Sequence, residues 1–241
     1  MKKNLLLISI ILTFSSCFQK EIKSFDKGNF WKITSKNGKV SYLFGTIHLY
    51  PKNEIDFPER IVVNLKECDQ LVLERDLTNK LEEQKLMNFK IPDFIKETYK
   101  VIMSEYGNEL VVMENQLINI AQENEIQITG LESTDEILEV MKKLNEIKLP
   151  ESEFQYDSIL KVYKQTLKMY KHHEIRAFKD TSPVQIADLA INQRNKNWID
   201  NIINNIENKS TFIAVGMGHL GGKGGLLHLL NEKGYKLKRM E

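Results

Sequence analysis

"FIAVGMGHLGGKGG", residues 212–225, decides how this chain is read: an apolar run of strand length ends in Gly-x-x-His and passes into a glycine-rich loop. Residues 42–50, "YLFGTIHLY", repeat the pattern near the other end, reaching His48 as the first reaches His219. With 12 Gly and 5 His in 241 residues, roughly 0.25 such matches (12 × 5/241) are expected by chance, so two of them behind strands point to a shared purpose. Ligands of α/β sheets bind beyond the carboxyl ends of strands, where the loops converge. If the two strands are parallel neighbours, His48 and His219 meet. Gly45 and Gly216 are expected either to turn the backbone sharply or to let it approach a ligand that a side chain would block.

Two neutral imidazoles facing one point suit a divalent metal ion of unspecified identity, with a carboxylate as third ligand. Glu74 is the nearest candidate, because it ends "LVLE" (residues 71–74), the short apolar form of a third buried strand. Its competing reading is a solvated strand end, and each histidine taken alone reads sooner as a hydrogen-bonded turn residue than as a ligand.

Around these motifs the pattern predicts an α/β (α+β) domain, with a central mixed sheet built from N- and C-terminal strands and a mostly helical middle. Asn37-Gly38 sets a tight turn between "FWKITS" and "VSYLFG". "ERIVVNLKEC", behind Pro58, reads as a helix leading into "QLVLER". Several helices with a break at "IPD" are expected over residues 79–124, then a strand at "IQITGL" and a helix starting near Ser133. Helical spacing recurs over 154–170 and from Pro183 through "QIADLAINQRNKNWIDNIINNI"; the chain closes as strand, loop, helix "LLHLLNEK", Gly234 and strand "YKLKRM".

Residues 1–16 read as a signal peptide, with Lys2 and Lys3 before an apolar run about half the length of a membrane span. Ser15-Ser16-Cys17 resembles the lipobox of bacterial lipoproteins, so Cys17 is expected to carry a lipid, residues 17–27 to form a tether and 28–241 the domain. Ordinary cleavage near Ser16 competes with that reading. The protein is then an exported bacterial lipoprotein at the periplasmic or cell-envelope membrane surface, held to the membrane by its N-terminal lipid. Cys68 is left without a disulfide partner and reads as a small buried apolar residue. With 34 Lys+Arg against 33 Asp+Glu and no basic stripe, nucleic acid is excluded as a partner.

Other motifs fail on context. "GMGHLG" matches G-x-G-x-x-G, but further glycines delay the helix that should receive a pyrophosphate. Lys223 lacks both the spacing and the Ser/Thr of a phosphate loop. His172 and His173 in "KHHE" are adjacent, pointing about 100° apart on a helix, and His228 reads as a boundary residue. No G-x-S-x-G, H-E-x-x-H or Cys-x-x-Cys occurs.

Taken together, "LFGTIHL", "LVLERD", "ITGLEST", "QRNKNW" and "FIAVGMGHLGGKGGLLHLLNEKGY" resemble the TraB/GumN family, which includes the Tiki proteins, described as metal-dependent proteases with two Gly-x-x-His motifs. The resemblance spans nearly all of the chain behind the leader, and its last motif is the specific one. It implies that His48 and His219 are the paired histidines, Glu74 the acidic residue after the second core strand, and Arg194 the arginine before Asn. Glu132 is a further acidic candidate; Lys196 and Trp198 carry no expected role. The implied activity is metal-dependent cleavage of a peptide or protein substrate, with Glu74 or Glu132 as general base and Arg194 facing the oxyanion. The alternative is a non-catalytic lipoprotein that holds a peptide, haem or metal in the same cleft.

Overall fold

A computed structural model describes residues 25–87, 89–150, 152, 155–175 and 183–240. The signal peptide and Cys17 lie outside the described residues. Phe30–Thr34 (β1) and Val40–Thr46 (β2) form the hairpin, with Gly38 at φ +87° in its turn, a conformation that favours glycine. After the three-residue strand Leu49–Pro51 (β3), helix Glu59–Lys66 (α1) leads into Gln70–Leu73 (β4). The helical middle comprises Lys80–Met87 (α2), Asp93–Tyr106 (α3), Met113–Glu123 (α4), Thr134–Asn145 (α5) and Tyr156–Lys171 (α6). It is interrupted by the short strands Leu110–Val112 (β5) and Gln127–Gly130 (β6). Ser133 caps α5 in a reciprocal box with Glu136. Val184–Ala187 (α7) passes through a π-helical turn, Asp188–Gln193, into Arg194–Asn208 (α8); Thr211–Gly216 (β7), Leu226–Glu232 (α9) and Lys236–Arg239 (β8) complete the chain.

Six strands make one mixed sheet in the order β6-β4-β7-β2-β1-β8. β6, β4, β7 and β2 run parallel, and β1 is antiparallel to both of its neighbours. All six residues of β7 are buried, as expected for a central strand covered on both faces. Phe30, Tyr42, Phe44 and Phe212 pack ring against ring across β1, β2 and β7. Trp198, Ile202 and Ile206 form the buried stripe of α8 at helical spacing. Cys68 is buried, and that burial pushes its thiol up to about 11, so it stays a protonated, inert packing group. Among the described residues, no helix is long and apolar enough to cross a membrane.

Two details differ from the sequence reading. The pair β3–β5, a separate antiparallel ribbon, was not expected, since three-residue strands are too short to show a period. Neither Gly45 nor Gly216 has a positive φ, so sharp turning is not their purpose. Close approach is: a Cβ on Gly45 would lie 2.9 Å from the Cβ of Met217, and one on Gly216 would lie 2.8 Å from Nε2 of His48.

Candidate active site

The parallel strands deliver four functional side chains to one edge in strand order: Glu132 after β6, Glu74 after β4, His219 after β7 and His48 after β2. Thr46 and Gly216 are register partners, which brings the two Gly-x-x-His endings side by side. The loops behind β4 and β6 stay paired, with the Glu132 amide donating to the Glu74 carbonyl at 3.0 Å, so the two carboxylates leave the sheet together. Arg194 arrives from above, on the first turn of α8.

His48 sits at φ +55°, rare for a residue with a Cβ, at the apex of a three-residue turn closed by the Leu49 amide on the Ile47 carbonyl (2.6 Å). β3 then pairs with β5, and the Met113 amide donates to the His48 carbonyl at 2.8 Å. This ribbon carries Glu114, the first-turn acid of α4, to His48: its Oε1 lies 2.6 Å from Nδ1 and also accepts from Thr46 Oγ1 at 2.6 Å. With Nδ1 so engaged, Nε2 faces Glu74 Oε1 at 3.8 Å.

His219 is fixed by a neutral partner. The Asn195 amide donates from Nδ2 to the carbonyls of His219 (3.0 Å) and Gly224 (2.8 Å), which orients its Oδ1 to accept from His219 Nδ1 at 2.6 Å. That settles the tautomer: Nε2 carries the lone pair, 3.6 Å from Glu74 Oε1 and 3.3 Å from Arg194 Nη1, which donates to it. The indole of Trp198 lies 4.5 Å from the His219 ring and donates to Glu132 Oε2 at 3.1 Å.

Arg194 links the carboxylates. Its Nη2 donates to Glu74 Oε2 at 2.6 Å and to Glu132 Oε1, and its Nε to Glu132 Oε2 at 3.1 Å. The π-helical turn supplies the Ala190 carbonyl as a further acceptor for Nη1, at 3.1 Å. Burial alone would push Glu74 up. Arg194, then His219, His48 and the Gly216 amide (2.7 Å) outweigh it and hold that carboxyl well below the usual carboxylate range. Burial dominates at Glu132 instead, raising it despite Arg194. At His48 desolvation opposes protonation, limited by the 51% of the side-chain surface that stays open; Glu114 and Glu74 win and raise the imidazole to about 9.

All five residues singled out in the sequence, His48, Glu74, Glu132, Arg194 and His219, therefore converge. Glu114, Asn195 and Trp198 belong to the same cluster and were not identified. Among the described residues, no group of three or more His, Cys, Asp or Glu side chains is arranged, as the side chains stand, so that it could hold a metal ion. The donor set nevertheless suits a divalent ion: two imidazole Nε2 atoms flank one carboxylate oxygen, and each Nδ1 is oriented by a hydrogen-bond partner, as metal-ligating histidines usually are. Uptake of an ion requires His48 to give up its proton and Arg194 Nη1 to leave His219.

Gly216→Ala should push the His48 ring away from Glu74, because the new methyl would take its place. The half-open ring can yield, so the melting temperature should stay within about 4 °C of wild type. Histidine nitrogen NMR reads the displacement directly; unchanged His48 resonances would contradict it.

No curated protein and no solved structure matches this chain. The profile of the TraB/PrgY/gumN family matches it over residues 29–105 and again over 91–239, which together hold every strand of the main sheet and every residue of the cluster. The chain belongs to the TraB/PrgY/gumN family.

Proposed function

We propose that this protein is an exported, lipid-anchored, metal-dependent peptidase-like hydrolase, with His48, His219 and Glu74 as metal ligands. One observation carries the reading: Nε2 of His219 and of His48 lie 3.6 and 3.8 Å from the same oxygen of Glu74, with both rings oriented through Nδ1. A divalent ion bound there would supply Lewis-acid polarisation of a peptide carbonyl and activation of water.

The chain's own groups divide the remaining work. Environments that push two neighbouring carboxyls in opposite directions separate their roles. Glu74, held ionised, is a poor proton acceptor and a good anionic ligand. Glu132, pushed up, is the better group to take and return a proton. The Arg194 donors are committed to Glu74, Glu132 and Ala190, so its first duty is to hold the carboxylates in place. Its 3.3 Å contact to His219 is the longest of these, and Nη1 is the donor most easily turned toward an oxyanion.

A second reading, capture of a peptide without cleavage, is favoured by that same contact, which covers the His219 lone pair. Metal content of the purified protein tests the first reading. His48→Ala and His219→Ala should each lower bound divalent metal to background, with little loss of stability for the half-open His48 and a larger loss for His219, which is buried against Trp198 and bonded to Asn195; equal stoichiometry in wild type and both variants would contradict the metal assignment. The lipid anchor is tested separately: Cys17→Ser should move the protein from the membrane to the soluble fraction, and unchanged membrane association would contradict it.

A further inference from the structure

Between the loop after β3, α1 and α6 lies a cleft of about 190 Å³ that the proposed chemistry does not use. Its walls are mostly apolar, from Phe30, Phe44, Ile55, Pro58 and Ile61. Into it faces Arg60, whose Nε is buried without a hydrogen-bond partner. Among the described residues its guanidinium has no ion-pair partner either. The other cation of the lining, Lys171, is bridged to Glu54. Nε itself is closed off from solvent, so the unpaired charge of the guanidinium, rather than that one donor, is what an acceptor entering the cleft would meet.

We propose that this cleft binds a small apolar monocarboxylate, with Arg60 gripping the carboxylate and the apolar walls holding its hydrocarbon body. A guanidinium presents parallel N–H groups that match a carboxylate fork. One unpaired cation suits a single negative charge; with Glu54 bridged to Lys171, Asp56 in the same lining would repel a dianionic phosphate more strongly than a monoanion. The cleft's volume of about 190 Å³ leaves room for a short branched acid. His173 closes one side, its Nδ1 2.8 Å from Asn29 Oδ1 and its carbonyl accepting from the Gly28 amide at 2.8 Å, so that wall is already in place.

Isovalerate, isovaleramide and inorganic phosphate titrated into the full chain by protein NMR test the assignment. Isovalerate should saturate with a Kd of about 1–10 mM, as expected for so small a ligand, and should shift resonances of Phe30, Phe44 and Ile61. Isovaleramide and phosphate should bind at least tenfold more weakly. Arg60→Gln should weaken isovalerate at least tenfold, and His48→Ala should leave it unchanged, which separates this cleft from the metal-ligand cluster. The ligand comparison on wild type decides the matter even if the Arg60 variant folds poorly. Equal binding of acid and amide, tighter binding of phosphate, unchanged affinity in Arg60→Gln, or no saturation by about 100 mM would overturn the proposal.

Discussion

Arg194→Ala is expected to destabilise the protein by about 3–5 kcal/mol, the range for breaking a buried charge pair by removing one partner. The side chain is 11% exposed and bridges Glu74 (18%) and Glu132 (5%), so its loss leaves two carboxylates facing each other away from water. For a chain of this size the melting temperature should fall by roughly 6–20 °C. Arg194→Lys should recover only part of the loss, because one ammonium cannot reproduce the donors that reach both carboxylates, Ala190 and His219. The sign with pH follows from Glu74. Its folded pKa is depressed, so its stabilisation is present above the unfolded carboxylate value and is lost as pH falls toward the folded one. The penalty for Arg194→Ala should therefore shrink as the pH drops below about 4.3. Urea melts at neutral and acid pH read both effects, and an unchanged midpoint at neutral pH would mean that the arginine does not hold these loops together.

Glu74→Gln should have the largest functional effect. The amide keeps the size and shape of the side chain but removes the charge that would hold a cation between His48 and His219. Hydrolysis should fall by at least as much as the roughly 10²-fold lower bound for losing a proton-transfer group, because the bound metal is lost with its anionic ligand. Glu132→Gln separates the roles, since it should lower the rate by a similar factor while leaving metal content in place. If Glu74→Gln kept its metal and Glu132→Gln lost it, the assignments would have to be exchanged.

The legible part of this site was the part carried by strands. Each of His48, Glu74, Glu132 and His219 follows an apolar run whose period and length mark a strand, and parallel neighbours place such endings together. Glu114 was not legible, because β3 and β5 bring it to His48 through three residue pairs, fewer than any periodicity needs. The acid in the first turn of α4, directly after "LVV", was the available signal. Asn195 and Trp198 stand on the helix that carries Arg194, and Trp198 is one turn on, with the guanidinium over its ring at 4.5 Å. Their spacing was visible, but a tryptophan on an apolar stripe reads as core, which at 1% exposure it also is. Gly45 and Gly216 serve neither a sharp turn nor a ligand in this structure; they leave room for Met217 and His48, a contact set by the neighbouring loop rather than by their own φ.

Metal-dependent hydrolysis is read by exposing an unbiased peptide mixture to the purified wild-type protein, followed by mass spectrometry, before and after chelation and after return of a divalent ion. Products should vanish with the chelator, return with the ion and be absent in Glu74→Gln; a mixture bound but left uncut in every metal state would instead mark a protein that captures its ligand without hydrolysing it.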